Sequence, residues 1–501
     1  MYTHIFIIKS ISMKKILMAG ILVSCSTSLF AFCGFYVSKA SGTLSNKTSQ
    51  VILARDGRKT VVTMYNDFKG NIRDFAMVIP VPVLLQKKDI RVVEPGIFQR
   101  LNDYSSPRLV EYYDVNPCMP RVYEKDDLMS VQESVVMKSP KAAPTARGYG
   151  VTIEAQYLVG EYDILILGAK ESSGLQRWLS DNGYKIPESA EEVLEPYIKS
   201  NLKFFVAKVN PKQATALNNG FLRPIQISFA SEKFILPIRL GMANADGDQD
   251  LVIYGLTRRG RIECTNYRNI DIPSDRNIPL FVKKNFGAFY SNLFQHQWNN
   301  EGRNLAFLEY AWDITPINPM KCDPCVGNPP TQQELLTAGA WWLKQADWSD
   351  YSDPDMDLPD GNNQTFFTRM HVRYNRNDFP QDLAFQVTPN RNHYQARYIV
   401  THPANGDLSC DEGRTYLREL KARRKKELRQ LLSLTGTNMH NWQKDLLSSD
   451  AARHEPEIAY AHVADELKNE TETEGQGAGM MAWVSALMIG SAGFLRWKGM
   501  I

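Results

Sequence analysis

Two apolar stretches bracket this sequence, and together they decide which part of it is left to fold in water. Near the N-terminus, Met13-Lys14-Lys15 precedes an apolar run at residues 16–23 and the small-residue site Ser28-Leu29-Phe30-Ala31. Basic, then apolar, then small is the layout of a secretory signal peptide over residues 1–31. Leu22-Val23-Ser24-Cys25 also matches a lipobox, so lipidation of Cys25 stays open as an alternative. At the other end, residues 475–495 carry no charge, and a helix of that length spans ~30 Å, the thickness of a bilayer core. Glu472 and Glu474 precede it and Arg496 and Lys498 follow, which directs the tail at 496–501 into the cytoplasm. Both signals predict one topology, a bacterial cell-envelope protein with an exported ectodomain and a single-pass C-terminal anchor at 475–495.

The charge balance removes one class of partner. The chain has 58 Lys and Arg against 55 Asp and Glu, and Lys9, Lys14 and Lys15 account for the surplus. From Phe32 onward the chain is neutral, and such a body has no field with which to hold a phosphate backbone, so nucleic acid is not expected as a partner.

Seven cysteines occur. With Cys25 removed, Cys33, Cys118, Cys264, Cys322, Cys325 and Cys410 remain, and an even set in an exported chain reads as a disulfide framework. Cys322-Asp323-Pro324-Cys325 has the spacing of a redox dithiol or of half a zinc site. A redox pair is activated by the N-terminus of a helix, whereas here Pro329 and Pro330 follow and the next helix begins at a Thr331-Gln332-Gln333-Glu334 capping box. Structural disulfides are therefore favoured, with a thiol-disulfide oxidoreductase using Cys322 and Cys325 as the alternative.

Residues 50–54 and 59–64 read as strands flanking Asp56-Gly57, a strong hairpin signal. Residues 75–79 read as a buried strand ended by Pro80 and Pro82. Further strands are expected at 150–158, 162–167, 203–209, 225–229, 234–240 and 250–256, with helices at 173–182 and from Ser189. After a β-like stretch at 365–400, a helix over 411–434 carries Leu417, Leu420, Leu428, Leu431 and Leu432, and the basic run 421–426 reads as a solvated face or a lipid contact. Such a series argues an α+β fold, mostly antiparallel β with inserted helices. The expected division is an ectodomain core at 32–345, an acidic loop and β-rich extension at 346–410, a helical stalk and polar linker at 411–474, and the transmembrane helix.

Two acidic loops have the spacing of cation sites. Asp353-x-Asp355-x-Asp357 resembles the opening of an EF-hand loop, but Leu358 occupies the glycine position and Gln364 the place of the bidentate glutamate. Asp246 and Asp248 belong to the run Asn244-x-Asp246-Gly247-Asp248-x-Asp250, which a hairpin turn explains without an ion. No metal or cofactor is expected. There is no G-x-S-x-G elbow, phosphate-binding loop or H-E-x-x-H. His371, His393 and His402 lack ligand spacing and read as satisfied histidines. The absence of a catalytic motif leans against an enzyme, an unrecognised hydrolase remaining as a further alternative.

Several stretches together resemble a known family. They are Phe32-Cys33-Gly34-Phe35-Tyr36-Val37, Arg55-Asp56-Gly57, residues 60–66, residues 74–82, Pro107-Arg108-Leu109-Val110-Glu111-Tyr112, Gly241-Met242-Ala243-Asn244 with Gln249-Asp250-Leu251, and residues 321–325. The combination is similar to the exported bacterial proteins called Domain of Unknown Function 2330, over roughly residues 32–435. The resemblance implies an envelope setting and a folded ectodomain, and it supplies no activity, substrate or catalytic residue. The function expected is that of a membrane-anchored extracytoplasmic envelope protein with a binding or structural role toward an envelope partner.

Overall fold

The computed structural model describes residues 35–37, 49–65, 76–119, 151–182, 190–210, 213, 222–242, 247–316, 327–345, 364–447 and 459–468. The Asp-Gly hairpin forms where the sequence places it. Strands β1 (Ser49–Asp56) and β2 (Lys59–Tyr65) pair antiparallel with Asp56 opposite Lys59, and Gly57 takes a φ of +55°, which glycine reaches without a Cβ clash. Six further strands extend this hairpin: β3 (Ile90–Val92), β4 (Ile225–Ala230), β5 (Gln249–Thr257), β6 (Arg268–Asp271), β7 (Leu305–Asp313) and β8 (Phe366–Tyr374). The order is β6-β7-β8-β5-β1-β2-β4-β3, and a ninth strand, β9 (Tyr394–Gln395), pairs with β7. β5 runs parallel to β1 and β6 parallel to β7, while the other pairings in this sheet are antiparallel.

A second, antiparallel sheet has the order Phe35–Val37, Ala76–Val81, Lys203–Val209, Tyr162–Ala169, Val151–Val159. Because side chains alternate across a strand, Val51, Leu53, Leu251, Ile253, Met370 and Val372 face one way and meet Met77, Ile79, Ile164, Ile166 and Phe205 of the second sheet. Ile52, Ala54, Val252, Tyr254 and Phe367 face the other way, against Ile97, Phe98, Leu101 and Tyr104 of helix α1 (Gly96–Ser105). The second sheet buries its far face under the helices Ser172–Asp181 and Ala190–Lys199, with Leu175, Trp178, Leu194 and Tyr197 on Phe204 and Val206. The result is four layers, helix, sheet, sheet, helix, and it is α+β as the element series predicts.

A further core lies beside α1. Helix α2 (Phe286–Asn300) packs Phe289, Leu293, Phe294 and Trp298 against Leu428, Leu431 and Leu434 of helix α3 (Asp411–Thr435), with Tyr460, Val463 and Leu467 closing it. Expected as part of a stalk, α3 is instead built into the body, because its leucines fill the hydrophobic space that α2 opens. Gly436 ends it at φ +61°. The basic run on α3 is likewise not an open solvated face: Lys421 pairs with Glu466 at 2.6 Å, Arg423 pairs with Asp114, and Arg424 is buried over the ring of Tyr460.

Two local expectations are corrected. Pro80 does not end its strand, which continues to Val81 with Pro80 opposite Phe204; its described pairing with Phe35–Val37 stops at Val78, and a residue without an N–H is tolerated where a strand has one neighbour. The segment 234–240 forms only the two-residue strand Ile235–Leu236 before the helical turn Arg239–Met242, because Asp382 Oδ1 accepts from the backbone N–H groups of Ile238 and Arg239 and draws the chain away from a ladder. The expected signal peptide and the apolar segment at 475–495 lie outside the described residues. Among the described residues, no helix is long and apolar enough to cross a membrane.

Candidate functional site: a buried charge network

Strand β8 carries Arg369, His371 and Arg373 at every second position, on the face covered by α1 and α2. On either side of it stand two carboxylates. Asp250, the second residue of β5, lies opposite Arg373. Glu309 is the extra residue of a β-bulge in β7, where Leu308 pairs with Met370 and Tyr310 with the adjacent Arg369. A bulge re-aims a side chain, and here it turns Glu309 into the network with its side chain fully buried.

The hydrogen bonding is saturated. His371 Nδ1 lies 2.9 Å from Glu309 Oε1 and its Nε2 lies 3.1 Å from Asp250 Oδ1. Glu309 also accepts from Arg369 Nε at 2.5 Å and from the Tyr290 hydroxyl at 2.5 Å. Arg373 grips Asp250 with two nitrogens at 2.8 and 2.9 Å, and its third reaches Gln295 Oε1 at 2.6 Å. Arg369 donates to Asn102 Oδ1 at 3.0 Å, at the C-terminal end of α1, where a cation is favoured by the helix dipole. Aromatic faces complete the enclosure: the His371 ring stacks on Phe294 at 4.0 Å, and Arg373 lies over Phe294 and Trp298.

The electrostatics follow from this packing. Burial by itself would lower the His371 pKa, but the charge of Glu309 and the bonds to Asp250 and Glu309 outweigh it and hold the imidazolium up to about 9. Burial pushes Glu309 upward, and the charges of Arg369 and His371 reverse that, bringing it down to about 2. Asp250 is likewise held well below the usual carboxylate range by His371 and Arg373 against the effect of burial.

Such a histidine is charged at neutral pH, with both nitrogens donating, so it has no lone pair with which to act as a general base. The nearby hydroxyls are also engaged, Ser105 Oγ with Leu101 O and Ser106 Oγ with Asn102 O, both at 2.6 Å. The arrangement is a rivet between the α1 and α2 cores rather than a nucleophile and its base. A second feature is a polar groove of about 540 Å³ lined in part by Asn266, Tyr267, Arg268, Asn304, Asp378 and Gln381. Some of its groups bond one another, as in Tyr267 with the backbone of Gln381 and Asn266 with Gln381 Oε1, while Arg268 turns to Glu301 beside it.

The sequence-derived candidates fall as follows. Cys118 and Cys410 form a disulfide. Cys264, expected in the framework, is a free thiol buried in the core between the two sheets, where burial pushes its pKa up to about 12. Cys33, Cys322, Cys325, Asp246, Asp353, Asp355 and Asp357 lie outside the described residues. Asp248 is exposed and accepts from Asn375 Nδ2 at 2.7 Å. Asp250, part of the same oxygen-rich run, spends its oxygens on Arg373 and His371. His393 stacks on Trp312 and His402 bonds Glu111 at 2.7 Å, so the three histidines sit apart, each with a partner. Among the described residues, no cluster of three or more His, Cys, Asp and Glu could hold a metal ion. Sequence reasoning missed Glu309, Arg369 and Arg373; the detectable signal was a charge at every second position of an otherwise apolar strand.

Residues 27–386 match the model of a family described as an uncharacterised protein conserved in bacteria, Domain of Unknown Function 2330. The match covers more than two-thirds of the chain, which belongs to that family; it stops short of the extent to 435 that the resemblance suggests. No curated protein and no solved structure matches.

Proposed function

We propose that this member of the family is a non-catalytic ectodomain of the bacterial cell envelope, anchored by residues 475–495, which binds or organises another envelope component. The observation that carries the reading is the Cys118–Cys410 disulfide, which joins residues 292 apart in sequence. Such a bond persists in an oxidising compartment and is rare in a reducing cytosol, so it agrees with the export signal in the sequence. The charge network supports the non-catalytic part, since its histidine is already protonated and every carboxylate oxygen in it is used. Its binding surface is then to be sought on the exterior, where the groove beside Asn266 and Arg268 suits a polar ligand.

The test is the intact mass of the native membrane-fraction protein, non-reduced, with and without iodoacetamide. A mass running from Phe32 to Ile501, with Cys118 and Cys410 unalkylated, is expected. Recovery in the soluble cytosolic fraction with both cysteines alkylated would overturn the reading. Two reactive thiols at Cys322 and Cys325 would replace it with the thiol-disulfide enzyme.

A further inference from the structure

Six large apolar side chains stay exposed among the described residues, and four of them fall within eight positions: Tyr112, Tyr113, Val115 and Met119, at 46, 69, 71 and 59 % exposure. Scattered exposed apolar residues are ordinary, but several on one short segment mark an interaction surface. Tyr112 and Tyr113 are consecutive on the strand Arg108–Tyr113 and face opposite ways, so the group is Tyr113, Val115 and Met119. This one is held firmly. Cys118 is bonded to Cys410, the N-cap of α3, and Asn116 Nδ2 donates to the carbonyls of Asn405 and Asp407 at 2.8 and 3.1 Å. Asp114 accepts from the Tyr416 hydroxyl at 2.7 Å and from Arg423, while Tyr113 stacks on His402 at 4.3 Å.

The direction of the chain says what this surface faces. The helical segment at 460–468 lies antiparallel to α3, with Tyr460 on Glu427 at 2.5 Å and Glu466 on Lys421 at 2.6 Å. At Lys468 the chain is therefore travelling toward the N-terminal end of α3, the end to which Cys118 is tied. Six residues separate Lys468 from Gly475, where the apolar segment begins, and fully extended they span at most ~25 Å.

We propose that Tyr113, Val115 and Met119 rest on the headgroup region of a lipid bilayer, brought there by the apolar segment at 475–495. The proposal rests on the anchored reading of that segment. Tyrosine suits this depth, its ring in the acyl boundary and its hydroxyl in water. The same tip exposes Asp407, Asp411 and Glu412 beside Arg414, so anionic lipid is repelled and the contact is with neutral headgroups.

Photo-crosslinking tests it on the full-length chain in phosphatidylcholine vesicles, with p-benzoylphenylalanine in place of Tyr113, of Val115 or, as a control, of Arg58 in the β1–β2 turn. Phospholipid adducts are expected at Tyr113 and Val115, not at Arg58, with no increase when phosphatidylglycerol is added. If the chain floats with the vesicles but residues 113 and 115 crosslink to residues 120–150, to a second copy or to nothing, the surface is not a lipid contact although the anchor stands. An increase with phosphatidylglycerol would overturn the neutral-headgroup assignment. If the chain does not float, the anchored reading fails and this proposal with it.

Discussion

His371 bonds Glu309 through Nδ1 at 2.9 Å, and the partner is presented by a bulge, the one place in β7 where the ladder with β8 loses register. The two residues are 62 apart in sequence, and their pairing turns a histidine that would otherwise titrate near 6.5 into a fixed cation. A group whose folded pKa is raised contributes stability that is whole below its unfolded value and disappears as pH rises through the folded one. His371 should therefore stabilise the protein fully below pH ~6.5 and progressively less up to pH ~9. Urea melts across that range should show falling stability with rising pH, and His371→Gln should flatten the slope. If the variant keeps the slope, the imidazolium is not its source.

The Arg369–Glu309 pair predicts a non-additive cycle. Arg369→Met leaves Glu309 buried with the weaker support of His371 and Tyr290, and losing one partner of a buried pair costs about 3–5 kcal/mol. Replacing both, as Arg369→Met with Glu309→Leu, removes the uncompensated charge and should cost less than the two single changes summed. Equal cost in the double variant and in the sum would mean that the two charges do not support each other.

How far this was legible in the sequence follows from the range of each interaction. Asp56-Gly57 and the Thr331–Glu334 capping box act over two to four residues, and both form as expected, with the Thr331 hydroxyl on the Glu334 N–H and the Glu334 carboxylate on the Thr331 N–H. The α3 helix is legible from its leucines, but its role is not, since whether an apolar stripe meets a membrane, a partner or its own body depends on α2, more than a hundred residues earlier. The alternating charges of β8 are visible in the sequence, but the partners they meet are not, for the same reason. Asp250, Glu309 and His371 meet only because β5, β7 and β8 are neighbours, and a single sequence does not state strand order. The oxygen-rich run around Asp250 has the composition of a cation loop, yet its last carboxylate already has its counter-ions in Arg373 and His371.

The Cys118–Cys410 bond closes a loop of 292 residues. A cross-link over a long loop removes much chain entropy from the unfolded state, and breaking it should cost about 2–5 kcal/mol. Cys118→Ser with Cys410→Ser is expected to lower the thermal midpoint while leaving the secondary structure seen by circular dichroism intact. Cys264 should stay unalkylated in the folded protein and react after unfolding. Gly413 provides an independent probe of the same corner. A Cβ there would stand 2.2 Å from Leu408 O and 2.9 Å from Cys118 Sγ, so Gly413→Ala should destabilise by about 1–3 kcal/mol through overpacking. An unchanged midpoint would mean that this corner opens in solution.

Glu427 behaves in the opposite sense to Glu309. Burial pushes its pKa up to about 7, and the Tyr460 hydroxyl with the guanidiniums of Arg423 and Arg424 only partly opposes this. Below pH ~4.5 the carboxyl is protonated in both folded and unfolded chains and nothing is lost. Between ~4.5 and 7 the folded form keeps a proton that the unfolded form releases, so stability falls as pH rises, and above 7 the penalty is constant. Glu427→Gln keeps an acceptor for Tyr460 and removes the charge, so it should gain about 1–3 kcal/mol at pH 8 and nothing at pH 4. Since Tyr460 joins α3 to the segment at 460–468, the gain should appear as slower amide hydrogen exchange in that segment. Equal exchange in wild type and variant at pH 8 would mean that Arg423 and Arg424 already neutralise the carboxylate and that the docking of 460–468 does not depend on its proton.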